Sequence, residues 1–131
     1  MTIAEVSKKF DISSTTLRYY EKIGLMNPVS KNASGHRDYQ EADFRRINFI
    51  KCMRKAGMTI EQIKLYVDLF NEGEHTIARR KEIMIEQLGN LEAQVSELED
   101  IIAYLKHKID NYENTLVKRE MEQRHKQAVA K

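Results

Sequence analysis

From Ile77 onward, an apolar residue returns at every seventh position: Ile77, Met84, Leu91, Leu98, Leu105 and Tyr112. A second series, Leu88, Val95, Ile102, Ile109 and Leu116, is offset so that steps of three and four alternate, and Lys81 alone breaks it near the start. Such spacing keeps one narrow apolar seam on a single face of a helix. It predicts a helix over residues 76–118, ~40 residues or ~60 Å at 1.5 Å per residue. A helix of that length cannot bury its own seam. The chain is therefore expected to form a coiled-coil homodimer, with only the first turns able to pack back on the same chain. The seam runs through Met84, Leu88, Leu91, Val95, Leu98, Ile102, Leu105, Ile109, Tyr112 and Leu116. β-Branched residues alternating with Leu favour a parallel pair on composition, while Glu92, Glu99, Lys106 and Glu113 between them choose no orientation. Residues 119–131 lose the seam and are expected to form a mobile tail.

The preceding residues read differently. Residues 1–70 carry 12 Lys/Arg against 8 Asp/Glu, whereas residues 71–131 carry 10 against 12. A basic head on a mildly acidic stalk suits a polyanionic partner, although an ordinary solvated surface gives the same balance. One cysteine allows no internal disulfide and points to a reducing compartment. No apolar run approaches the ~20 residues that span a bilayer. The first ten residues lack a signal-peptide apolar core, and a cytoplasmic, membrane-free protein is expected.

Within the head, Thr2-Ile-Ala-Glu5 has the pattern of a capping box and opens a helix to Phe10. Ser13 or Ser14 caps a second helix through TTLRYYEKIG, which Gly24 ends. Two short helices around a tight turn make a helix-turn-helix candidate. On the second, Leu17, Tyr20 and Ile23 suit packing. Thr15, Arg18, Tyr19 and Lys22 share the other face, with donors suited to phosphates and base edges in a major groove. In isolation, an ordinary polar face with aromatic edges is the favoured reading of those four residues. Residues 27–40 hold Pro28 and the Ser34-Gly35 turn. They fit a hairpin wing presenting His36 and Arg37, or a plain surface loop. A third helix over residues 41–56 stops at Gly57. Thr59-Ile-Glu-Gln62 opens a fourth, whose Ile60, Ile63, Tyr66, Val67 and Phe70 are expected in the core. Residues 71–75 are the linker.

IAEVSKKFDISSTTLRYYEKIGL, then SGHRDY, then IKCMRKAGMTIEQIK together closely resemble the MerR family of transcriptional regulators, over residues 1–70 and on into the long helix. The resemblance implies a mainly α fold: a winged helix-turn-helix head followed by a dimerising coiled-coil helix, here an antiparallel pair. It implies DNA contact by Thr15, Arg18, Tyr19, His36, Arg37 and Tyr39. It further implies a palindromic double-stranded promoter whose overlong spacer is distorted for RNA polymerase, and no catalytic role.

Cys52 poses the remaining question. Metal-responsive members of that family place several cysteines around the long helix, which this chain lacks, so neither a metal nor an iron–sulfur cofactor is expected. His75, His107 and His125 share no ligand spacing. Drug-responsive members append a ligand domain after the coiled coil, for which the chain ends too soon. Cys52 sits at the edge of the apolar face made by Phe49, Met53 and Ala56, with Lys51, Arg54 and Lys55 as cations that would stabilise a thiolate. A buried, inert thiol is the physical alternative. FIKCMR and GMTIE are similar to the thiol-sensing NmlR/AdhR branch of the family, which implies a cysteine that answers aldehydes or other electrophiles.

Overall fold

The computed structural model describes residues 1–112 and 117–130. The chain divides into two compact units, residues 1–88 and 89–131. The first holds α1 (Ile3–Phe10), α2 (Ser14–Lys22), α3 (Glu41–Lys55), α4 (Ile60–Glu72) and a single 3-10 turn (Glu74–Thr76). α5 (Ile77–Asp110) begins there and continues into the second unit, which also holds α6 (Val117–Ala130).

Caps set the boundaries. Thr2 Oγ1 accepts from the Glu5 amide at 3.2 Å while Glu5 accepts from the Thr2 amide at 3.2 Å, the reciprocal box expected from the sequence. The Thr2 bonds lower the Glu5 carboxyl pKa. Asp11 takes a left-handed backbone (φ 54°) to end α1, and Ser13 Oγ accepts from the Thr16 amide at 3.1 Å to start α2. Gly24 ends α2 at φ +83°, a conformation that a Cβ would strain. Thr59 and Gln62 repeat the box at α4. Asp43 closes α3 from inside by accepting from the Gln40 amide at 2.9 Å.

The core draws on all four short helices of the head. Val6 of α1, Leu17 of α2, Ile47 and Ile50 of α3, and Ile63 and Val67 of α4 are fully buried. Leu25, Met26, Val29, Tyr39 and Met58 from the connections complete it. At about 1.5–3 kcal/mol for each large apolar side chain removed from water, this cluster holds the short helices together. Tyr20 and Ile23 pack against it as expected.

Phe70 departs from expectation. It is half exposed, and its ring lies under two guanidinium groups, Arg46 at 5.1 Å and Arg80 at 5.2 Å, rather than in the core. The wing is likewise thinner than two strands: one antiparallel bridge joins Lys31 and Arg37. Flanking it, the Asp38 amide donates to Ser30 O at 2.7 Å and the Asn32 amide to His36 O at 2.8 Å. Asn32 Oδ1 accepts from the Ser34 and His36 amides and shapes the tip, where Gly35 turns at φ +77°.

The C-terminal helices differ from expectation in three places. α5 ends at Asp110, so Tyr112 lies just beyond it, and Leu116 lies outside the described residues. Residues 119–130, expected as a mobile tail, are helical in α6. Met84, expected in the dimer seam, instead packs with Ile83 against the core of its own head. Leu88, Val95, Leu98, Ile102, Leu105 and Ile109 are each about half exposed or more, and Leu91 is partly buried.

Candidate nucleic-acid interface

α2 offers the surface its spacing predicts. Leu17 faces the core, which turns Thr15, Arg18, Tyr19 and Lys22 outward, all exposed, with the Tyr19 ring half exposed. Arg18 and Lys22 have no carboxylate partner among the described residues. A face with free cations, a hydroxyl and a phenol matches the donors that grip phosphates and probe base edges.

The wing comes alongside. A cleft of about 260 Å³ is bounded by Thr2, Ile3 and Ala4 at the start of α1, by Arg18 of α2, and by Lys31, Gly35, His36 and Arg37 of the wing. Residues from three separate stretches of the sequence thus form one basic concavity. The Tyr39 amide donates to Met1 O at 2.8 Å and ties the departing arm of the wing to the chain start.

Two of the expected contact residues are placed differently from the other five. Arg37 is only partly exposed, and its Nε and Nη2 both donate to Glu21 Oε2, at 3.2 and 3.0 Å. Glu21 is a partner of the wing that sequence reasoning missed, because a pairing across 16 positions leaves no periodic trace. Burial pushes the Glu21 carboxyl up, but hydrogen bonds from Arg37 and the Val29 amide outweigh it and hold its pKa below the ordinary value. Tyr39 is a core residue: it is 1% exposed, and its hydroxyl has no hydrogen-bond partner among the described residues. It packs in the core rather than facing outward, unlike the exposed contact residue the resemblance implies.

Cys52 is exposed on the last turn of α3. The cations around it are engaged elsewhere. Lys51 Nζ donates to Phe10 O at the end of α1, and Arg54 Nη1 to Met58 O at 2.9 Å. Lys55 is exposed. The last turn is also the negative end of the α3 dipole, so these cations act against the helix field. Among the described residues no group of His, Cys, Asp or Glu is placed to hold a metal, and no helix is long and apolar enough to cross a membrane.

Comparison with known proteins gives this geometry a lineage. The family profile described as MerR HTH family regulatory protein matches residues 1–69, and that described as MerR, DNA binding matches residues 44–108. The transcriptional regulator AdhR of Bacillus subtilis is 48% identical over 91 residues, spanning 70% of this chain and 65% of that protein. A crystal structure of a MerR family transcriptional regulator from Listeria monocytogenes superposes with TM-score 0.81 at 37% identity, covering 100% of this chain and 99% of the other. The crystal structure of HiNmlR, a MerR family regulator lacking the sensor domain and bound to promoter DNA, superposes with TM-score 0.77 at 28% identity, covering 88% and 92%. With the profile spanning more than half the chain and the fold matched end to end, this protein belongs to the MerR family of DNA-binding transcriptional regulators.

Proposed function

We propose that the chain binds a palindromic promoter as a homodimer and activates stress or detoxification genes, with Cys52 as the sensor of aldehydes or other electrophiles. In this reading Thr15, Arg18, Tyr19 and Lys22 enter the major groove while His36 and Arg37 grip the backbone beside it. The observation that carries it is the exposed α2 face standing next to the basic wing cleft. Dimerisation is supported by the half-exposed seam from Leu88 to Ile109, which in water favours a second apolar surface. The promoter's spacer holds its two recognition elements out of register for RNA polymerase, and the activating form distorts the duplex to align them.

The switch is a covalent one. The Cys52 thiolate adds to the carbonyl carbon of an aldehyde, the π electrons move to oxygen, and that oxygen takes a proton from water to give a hemithioacetal. The adduct acts only if its free energy differs between repressing and activating forms. Support comes from the exposure of Cys52 and from the 48% identity to AdhR. A second reading keeps the DNA binding and gives Cys52 no sensing role. It is favoured by the engagement of Lys51 and Arg54 with backbone carbonyls.

One experiment separates the two. Transcription from the protein's own upstream region is measured with and without formaldehyde or methylglyoxal, beside intact-mass measurement, for wild type and Cys52→Ser. Sensing requires an adduct mass on wild type and induction that Cys52→Ser abolishes. Induction that survives the substitution selects the second reading. Failure of either protein to shift that DNA at low salt removes both.

A further inference from the structure

Glu21 stands in the last turn of α2, where a carboxylate is disfavoured by the negative end of the helix dipole. Its partners offset that cost. Oε1 accepts from the Val29 amide at 2.9 Å, on the arm entering the wing, and Oε2 accepts from Arg37 Nε and Nη2, on the arm leaving it. One side chain therefore fastens both arms of the wing to the helix that carries Thr15, Arg18, Tyr19 and Lys22. Val29 and Tyr39 anchor the roots of the wing in the core, and Met1 bonds Asp38 and Tyr39 on the departing arm. Between those roots a single bridge at Lys31 and Arg37 closes the wing, and Glu21 is what joins it to α2. The bond also orients Arg37. With Nε and one face of Nη2 held by Glu21, the Nη1 end of the guanidinium is left for another acceptor.

We propose that Glu21 is a positioning residue of the nucleic-acid interface: it locks the wing to α2 as one body and aims the free end of Arg37 at a DNA phosphate. The inference rests on the proposed DNA contact by Arg37. It makes a prediction opposite in sign to simple electrostatics. Glu21→Gln removes a negative charge from a surface that meets a polyanion, which by itself tightens binding. If Glu21 positions Arg37, the same change weakens binding, because Gln can still accept from the Val29 amide but cannot hold the guanidinium by charge.

The test measures affinity for a duplex from the protein's own upstream region, at several salt concentrations, for wild type, Glu21→Gln, Arg37→Gln and the double variant. Thermal melts establish that each variant is folded, and amide exchange at Val29 in Glu21→Gln and Glu21→Ala reads the wing without DNA. Positioning predicts about five- to tenfold weaker binding by Glu21→Gln. It also predicts little added loss when Glu21→Gln is placed on Arg37→Gln, and faster Val29 exchange in Glu21→Ala. Binding by Glu21→Gln that equals or exceeds wild type overturns the proposal, as does an undiminished loss in the Arg37→Gln background. Should Arg37→Gln bind like wild type, the Arg37 contact itself falls and this inference falls with it. That outcome is distinct from a Glu21 failure, in which Arg37→Gln alone still weakens binding.

Discussion

Replacing Tyr39 with Phe isolates the most unusual atom in the head. The ring is 1% exposed and packs among core residues, so Phe keeps nearly all of its apolar burial. The hydroxyl is the only change. Burial pushes its pKa up, so it stays protonated, a donor with no acceptor among the described residues. Burying an unpartnered hydroxyl costs about 1–3 kcal/mol on mutational scales, and removing it recovers part of that cost. Tyr39→Phe should therefore raise stability by about 1 kcal/mol, equivalent to ~4–8 °C in the melting temperature of a domain the size of this head. Urea denaturation followed by circular dichroism measures it, as a higher midpoint at unchanged slope. A loss of about 1 kcal/mol would refute the argument, because it would mean the hydroxyl is well bonded. The same variant addresses the DNA contact that the family resemblance implied. If Tyr39 leaves the core to meet a phosphate on binding, the Tyr39→Phe variant gains stability and loses affinity together. Unchanged affinity in that variant leaves Tyr39 a core residue throughout.

Other expected outcomes follow from particular bonds. Thr76 is buried, its hydroxyl 2.7 Å from both Leu69 O and Gly73 O and accepting from Arg80 Nε at 3.0 Å, so Thr76→Val should cost about 1–2 kcal/mol in a urea titration. Met84→Ala should cost about 1–2 kcal/mol of head stability and leave self-association unchanged, whereas Leu98→Ala should weaken the proposed dimer in sedimentation equilibrium without lowering head stability. Glu21 has a depressed folded-state pKa, so its contribution is present above the unfolded carboxylate value and fades as pH falls through the folded one. Midpoints compared between pH 7 and pH 3 should therefore drop less in Glu21→Gln than in wild type.

What could be read in the sequence was what is local. Thr2 with Glu5 and Thr59 with Gln62 stand three positions apart, so both capping boxes were visible as strings and both formed. The Arg18 and Lys22 face followed from helical spacing once Leu17 was taken as core. Wing geometry was not legible, because it depends on pairing between distant residues. The Glu21–Arg37 bridge spans 16 positions, and Tyr39 is held by the carbonyl of Met1 at the far end of the head's sequence. The helicity of residues 119–130 was missed for another reason. Loss of the seam says only that no partner is required, while Glu, Met, Gln, Arg, Lys and Ala there are good helix formers by themselves.

The heptad spacing also concealed a division of labour within α5. Ile77, Met84 and Leu91 obey one period, yet residues up to Gln87 are built into the head. Arg80 lies over Tyr66 and Phe70, Ile83 and Met84 meet the core, and Gln87 Nε2 donates to Ala56 O at 2.6 Å. That carbonyl belongs to the residue capping α3, whose own amide donates to Cys52 O at 2.9 Å. The last turn of α3, where the candidate thiol stands, is thus joined by two successive hydrogen bonds to the base of the helix that carries the seam. A change at Cys52 that unwinds or tilts this turn would meet Gln87 before it met α2 or the wing, because neither shares a hydrogen bond with the turn among the described residues. If Cys52 is the sensor proposed above, its signal is most economically sought along α3 and α5, through the base of the helix rather than through the α2 face.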